Sequence, residues 1–403
     1  MTDWSPSRRH FLLGCATVGL SGCSALQPDP PAPDPADWTH PRGDAARTGH
    51  SPVGDLREHP RVAWRRDLER VRPPNATATL FGGTLYYPDD GFVAVDAADG
   101  SVRARGAAQA YRAPVVVPTA AYENEMLVLG GPPTVTGVNP SGSVPARLRR
   151  RWRFPGPPDG STFPSLTTGT DDPGPVVTDG TVYWSGHVSG EGSLVALDAS
   201  SGRKRWQVTA ENGLHEPVAA DGAVFAGNFG DVVVAVERDG TERWRRRRDI
   251  EVVDWNRFVA DDERLYLARS EHVAALDTTT GEEVWSRPLP ARHGSRPALA
   301  DGTLVVGVST DENDAEELVA LDAATGTTKW SVPGSSHDRP PVVAGGTVYQ
   351  VDYDTIVARD VADGRPRWRW TNPTGDEVSV PTPGEGRLYV SSLREFVALE
   401  VPR

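Results

Sequence analysis

The chain has 403 residues, enough for two or three ordinary domains or for one long repeat array. Its 41 glycines, 36 prolines and 12 tryptophans, with 38% apolar residues, point to a turn-rich β protein and away from a helical bundle. Two cysteines exclude a disulfide framework, and 55 acidic against 42 basic residues, a net charge of −13, argue against a nucleic-acid binder held by phosphate contacts.

The first segment, residues 1–22, reads as an export signal. Arg8 and Arg9 followed by His10-Phe11-Leu12 resemble a twin-arginine signal, and Leu20-Ser21-Gly22-Cys23 resembles a lipobox. The uncharged stretch from His10 to Leu26 is shorter than the roughly 20 apolar residues a membrane-spanning helix needs. The motifs imply export of a folded chain, cleavage before Cys23 and a lipid on its sulfur; the alternative is an uncleaved signal anchor. Residues 23–58 form a Pro/Asp-rich linker and lead-in, whose run Gln27-Pro28-Asp29-Pro30-Pro31 favours an extended, solvated spacer. One acyl chain binds a membrane only marginally, so stable anchoring calls for further acyl chains or a second contact. Lys204 and Lys329 are the only lysines, leaving 40 arginines. Together with the acidity this suits a halophilic source, because concentrated salt quiets self-repulsion; GC-rich coding is the alternative.

Residues 59–403 repeat one unit. Its cleanest copy, 174–206, has an apolar run before Asp179-Gly180, an aromatic run Val182-Tyr183-Trp184, then Leu194-Val195-Ala196-Leu197-Asp198, Gly202 and Trp206. Four short strands between turn signals make the antiparallel blade of a β-propeller. The second-strand pair recurs eight times, from Leu85-Tyr86 to Leu388-Tyr389. The polar residue ending the third strand also recurs eight times: Asp96, Asn139, Asp198, Glu237, Asp277, Asp322, Asp360 and Glu400. Fourth strands carry Trp152, Trp206, Trp244, Trp285, Trp330 and Trp368, the first unit is degenerate at Ala104, and the eighth ends too early to have one. The orphan segment Arg61-Val62-Ala63-Trp64-Arg65-Arg66 fills that vacancy. The predicted fold is therefore an all-β, eight-bladed propeller closed by an N-terminal strand in the last blade.

Asp198, Asp277, Asp322 and Asp360 each precede a glycine by four residues and a tryptophan by eight. The carboxylate is expected to bond turn amides and the glycine to adopt positive φ. The even offset is expected to keep each indole on one pleat face, wedged between blades. These residues are read as structural.

The repeated Ala-Leu-Asp-x-x-x-Gly-x-x-x-Trp pattern resembles the pyrroloquinoline quinone (PQQ) repeat family, and Trp38-Thr39-His40-Pro41-Arg42-Gly43-Asp44 through Thr48-Gly49 is similar to the lead-in of its exported members. That resemblance implies a propeller serving either a quinoprotein dehydrogenase or a lipoprotein that assists outer-membrane β-barrel assembly. The dehydrogenases add an adjacent Cys-Cys disulfide, a calcium and a catalytic Asp. Cys15 and Cys23 are neither adjacent nor in the ring. No catalytic residue, metal or cofactor is therefore expected, with PQQ-dependent dehydrogenation as the alternative.

The candidate binding rim lies in the segments joining each Trp strand to the next inner strand: His215, Glu216, Asn256, Arg257, Arg296, Asp338 and Arg339. It suits an acidic ligand or peptide; solvated rim loops are the plainer reading. The runs Arg149-Arg150-Arg151-Trp152-Arg153 and Trp244-Arg245-Arg246-Arg247-Arg248 fall on outermost strands, where charge guards the blade edge. The sequence thus points to an exported, lipid-anchored, monomeric scaffold on the outer face of the cytoplasmic membrane. Its partner is an unknown protein or cell-surface ligand, or a β-barrel precursor where an outer membrane exists.

Overall fold

Each of the longest strands buries two faces, and that explains their near-continuous apolar sequence. Leu194, Val195, Ala196 and Leu197 are all fully buried: Leu194 and Ala196 pack with Val224 and Val234 of the following sheet, while Val195 and Leu197 pack with Val128 and Trp152 of the preceding one. A sheet sandwiched between two others reads as an unbroken hydrophobic run. The computed structural model describes residues 32–67, 77–88, 91–107, 114–119, 125–131, 134–154, 174–188, 191–211, 213–228, 232–247, 257–269, 272–289, 293–310, 315–334 and 339–402.

Among the described residues eight sheets are arranged as blades, each built on four antiparallel strands. His50–Ser51 adds a short parallel strand to the sheet of Val342–Ala344 and His293–Gly294 a short antiparallel one to that of Thr303–Thr310, and one short helix, Ala146–Arg149, precedes an outer strand. Blade 3 is typical, running Val176–Thr178, Thr181–Val188, Glu191–Asp198 and Lys204–Thr209 from inner to outer edge. Counting from Thr79–Phe81 as blade 1, blades 2 to 8 begin at Val115–Pro118, Val176–Thr178, His215–Ala220, Arg257–Ala260, Ala298–Ala300, Val342–Ala344 and Thr382–Gly384. The eighth blade takes its outer strand from the front of the chain. Arg61–Asp67 pairs antiparallel with Glu395–Glu400, placing Trp64 opposite Ala398, as the orphan tryptophan segment predicts. Arg61 and Arg65 add ion pairs to Glu400 and Glu395.

The tryptophans lock blade to blade. The indole N–H of Trp152 donates to the carbonyl of Ala199 in the next blade at 2.8 Å, and Trp206, Trp244, Trp285 and Trp330 repeat this onto Arg238, Thr278, Ala323 and Val361. Trp64 closes the ring on Ala97 at 3.1 Å. Each indole lies over the glycine of the neighbouring turn, so a methyl group at Gly281 would meet the Trp244 ring at 2.6 Å. Trp64, Trp206, Trp244, Trp285 and Trp368 also pack on the second-strand aromatic of their own blade, as Trp206 does on Tyr183 at 5.7 Å between centroids. Trp368 departs from the blade-to-blade hydrogen-bond pattern and donates to the carbonyl of Leu56 at 2.6 Å.

The even offset does not by itself set the face of the indole. In all eight blades the register slips by one residue immediately before the tryptophan or its equivalent Ala104. This bulge, not the parity of the spacing, orients the indole. The inserted residue is basic in five of the blades that retain an acid at the turn: Arg103, Arg205, Arg243, Lys329 and Arg367 pair with Asp96, Asp198, Glu237, Asp322 and Asp360.

Residues 38–54 are part of the ring and not a spacer to it. Trp38 exchanges both backbone hydrogen bonds with Leu80 of blade 1. The carbonyl of Thr39 then accepts from Val116, the His40 ring from Val177, Ala45 from Ala219, Ala46 from Ala260, Thr48 from Leu299, and Gly49 from Val343. Gly54 finally lies against the backbone of Gly384 in blade 8. Inner strands are open edges whose channel-facing N–H groups need acceptors, and this one segment serves them blade by blade.

Candidate functional site

The described members of the predicted rim all begin or precede inner strands, at the end of the channel away from the Asp-Gly hairpins. They are more enclosed than solvated rim loops would be. His215, Arg296 and Arg339 are 6%, 1% and 6% exposed, and Arg257 is half-buried. Arg296 donates to the carbonyl of Phe258 in the preceding blade, at 3.4 Å. Arg339 donates to the carbonyl of Val378 in the following blade and pairs with Glu377. Glu216 lies in the inner strand His215–Ala220, while Asn256 and Asp338 fall outside the described residues, as do Arg8, Arg9 and Cys23.

Two arginines absent from the predicted rim form the floor beneath it. Arg47, 1% exposed, donates through Nε to Pro217 and through Nη2 to Gly174, both at 2.7 Å, joining blades 3 and 4. Arg42, 4% exposed, donates to Pro297 at 3.0 Å and Pro341 at 2.9 Å, joining blades 6 and 7. The sequence signal was there in the polar, glycine-punctuated stretch Pro41-Arg42-Gly43 to Arg47-Thr48-Gly49. Two guanidiniums beside prolines, whose carbonyls lie in open strands, are the physical reason for it. Burial, reinforced by the Arg47 charge, pushes the His40 imidazole down to about 3, so it is neutral and accepts the Val177 amide. Asp44, held up by burial, accepts from the amide of Thr48 at 3.0 Å and orders the turn between the two arginines.

The repeat carboxylates are tied into turns. Asp198 accepts from the Ser201 amide, and Asp277 from those of Thr279 and Thr280. Burial would raise Asp198, but bonds from Ser200, Arg205 and Ser201 hold it well below the usual carboxylate range. A separate shallow cleft of about 430 Å³ opens on the hairpin face, lined by Thr178, Tyr183, Asp221, Arg238 and Asp262. Among the described residues no group of His, Cys, Asp and Glu is placed to hold a metal ion, and no described helix is long and apolar enough to cross a membrane. The described charged donors at the mouth are mainly guanidinium groups, which repel a cation and attract an anion.

A family model described as outer membrane protein assembly factor BamB matches residues 134–253, 228–340 and 314–401. Among characterised relatives, BamB of Bordetella pertussis is 29% identical over 198 residues, 44% of this chain and 50% of the relative. The serine/threonine-protein kinase AfsK of Streptomyces griseus is 31% identical over 170 residues, 39% of this chain but 21% of the relative. The chain thus spans between a fifth and a half of the length of these relatives. Among solved structures, quinohemoprotein alcohol dehydrogenase from Comamonas testosteroni superposes with a TM-score of 0.68 at 14% identity, covering 91% of this chain and 82% of the other. BamB from Moraxella catarrhalis gives a TM-score of 0.60 at 16% identity, covering 85% of this chain and all (100%) of the other. At such identities the likeness is one of fold.

Proposed function

Since the chain belongs to the PQQ-repeat family described as outer membrane protein assembly factor BamB, we propose that it is a non-catalytic interaction scaffold, exported and held at a membrane by a lipid on Cys23. The single observation supporting a binding role over a catalytic one is the channel itself. Its hairpin end is threaded by residues 38–54, and its other mouth carries the half-buried Arg257, with Arg296 and Arg339 buried behind it and Arg42 and Arg47 beneath. Such a basic mouth suits an acidic peptide segment of a partner. In a source with an outer membrane the partner would be the β-barrel assembly machinery; in a halophile it would be another surface protein.

Arg257 is the residue to test, because it is the most exposed of the three. Affinity capture with cross-linking from the native membrane should recover a partner with the parent chain and lose it with Arg257→Gln. Equal recovery by the two would sink the mouth as the binding face. The fold likeness to quinohemoprotein dehydrogenases keeps a second reading alive. Dye reduction with an alcohol after adding PQQ and calcium would establish that reading in place of the scaffold.

A further inference from the structure

Charge is segregated over the ring. The eight outermost strands, Arg61–Asp67, Val102–Ala107, Arg150–Phe154, Lys204–Thr209, Glu242–Arg247, Glu283–Pro288, Thr328–Pro333 and Pro366–Thr371, hold 18 of the 42 basic residues but 3 of the 55 acids. A chain of net charge −13 therefore has a positive side wall.

Two structural uses account for part of this. The bulge residues pair with turn acids, and a charge on each outer strand guards its open edge. Glu283–Pro288 and Thr328–Pro333 meet the second need with one basic residue each. On blades 2, 3 and 4 the supply exceeds both uses: their outer strands carry nine basic residues and one acid, Glu242. Arg150 and Arg153 are exposed and have no ion-pair partner among the described residues. Lys204 bonds to the Gln207 amide oxygen at 3.0 Å, and Arg246 to the carbonyls of Gly281 and Thr280, so no acid neutralises either. Arg245 reaches the Thr209 carbonyl at 3.4 Å, which links the edges of blades 3 and 4.

We propose that this wall on blades 2–4 docks on an anionic bilayer surface. The choice of occupant rests on the export and anchoring reading given above. The 14 residue steps from Cys23 to Asp37 span at most about 50 Å when extended, so a lipid on Cys23 would keep the wall within reach of the headgroups. A single acyl chain needs a second contact, and basic side chains facing anionic lipid supply one. Outside the outer strands the chain holds 24 basic residues against 52 acids, so an anionic surface repels the two ends of the ring and the basic side wall also sets orientation: the ring stands on its edge and its arginine mouth opens parallel to the membrane. Guanidinium forks suit headgroup phosphates at contact distance.

The test uses the full chain with Cys23→Ser, which cannot be acylated, sedimented with phosphatidylcholine vesicles with and without phosphatidylglycerol. We expect at least tenfold tighter binding to the anionic vesicles, weakening as salt is raised. Replacing Arg150, Arg153, Lys204 and Arg246 by Gln should remove at least tenfold of that affinity in a variant whose cooperative urea unfolding shows it folded. Arg287→Gln with Arg369→Gln, on other blades, should keep it. Equal binding to both vesicle types, parental binding by the quadruple variant, or binding of soluble heparin without vesicles would overturn the proposal. The mass of the native chain reads acylation separately. Lipid without wall-dependent binding sinks the wall alone; wall-dependent binding without lipid sinks the anchor alone.

Discussion

At Gly281 two constraints meet that a sequence pattern shows as one. Its φ is +70°, and its missing side chain makes room for the Trp244 indole. Gly180, at φ +66°, has only the first constraint, since nothing lies within 4 Å of an added methyl. Gly180→Ala should cost about 1 kcal/mol, the left-handed penalty alone, whereas Gly281→Ala should cost about 3 kcal/mol or more because ring and turn must part. Urea unfolding midpoints compare them, and equal shifts would mean that the indole yields freely. The Asp, Gly and Trp of the repeat were legible because each serves a local turn or a fixed spacing. The bulge was not, since register against a neighbouring strand leaves no mark in one strand's own residues. Its trace is the basic residue before the tryptophan, as at Arg205 and Arg367, which acquires meaning once Asp198 and Asp360 are seen beside it.

Among elements, the closing strand Arg61–Asp67 carries the greatest burden. It makes six paired positions with Glu395–Glu400 and supplies the indole that reaches Ala97 of blade 1. It was legible from counting alone, because the eighth unit lacked a Trp strand and the first was preceded by one. Trp64→Ala removes a part-buried aromatic, its hydrogen bond and its cover over Gly100 at the seam where the ring's two ends meet. A loss of about 3–5 kcal/mol is expected. Ala104 shows that a blade can tolerate a small residue in this place, but the contacts around it are built for one: Val138 and Leu127 pack there. Urea unfolding with hydrogen exchange should show the amides of Glu395–Glu400 losing protection before those of blade 4 in the variant. Uniform loss around the ring would show that closure is shared among all seams.

At the scale of the molecule, a chain so repetitive is expected to behave as nearest-neighbour units, each blade answering to the two beside it. Residues 38–54 break that rule by touching every blade; their glycine-punctuated pattern marks an irregular segment, but turns at Gly43, Arg47 and Gly49 leave no strand period from which its path could be read. His40 offers a way to test whether this thread couples the ring. Its folded pKa of about 3 lies below the ordinary 6.5 through burial and the Arg47 charge, so the unfolded chain takes up the proton first. The stabilisation is complete above about pH 6.5 and is lost as pH falls toward 3, by at most about 1.4 kcal/mol per pH unit. His50, lowered by burial, acts in the same direction, while Asp44, raised by burial, opposes it. The comparison is therefore with His40→Gln, which still offers the Val177 amide an acceptor but does not titrate. Its stability should fall less steeply between pH 6.5 and 5. If the thread couples the blades, the acid-dependent loss in the parent should appear in the exchange of Val116, Ala219, Ala260, Leu299 and Val343 together, although His40 touches only blade 3. Loss confined to Val177 and its neighbours would mean that the ring is held by its seams, with the thread bonded to each blade separately.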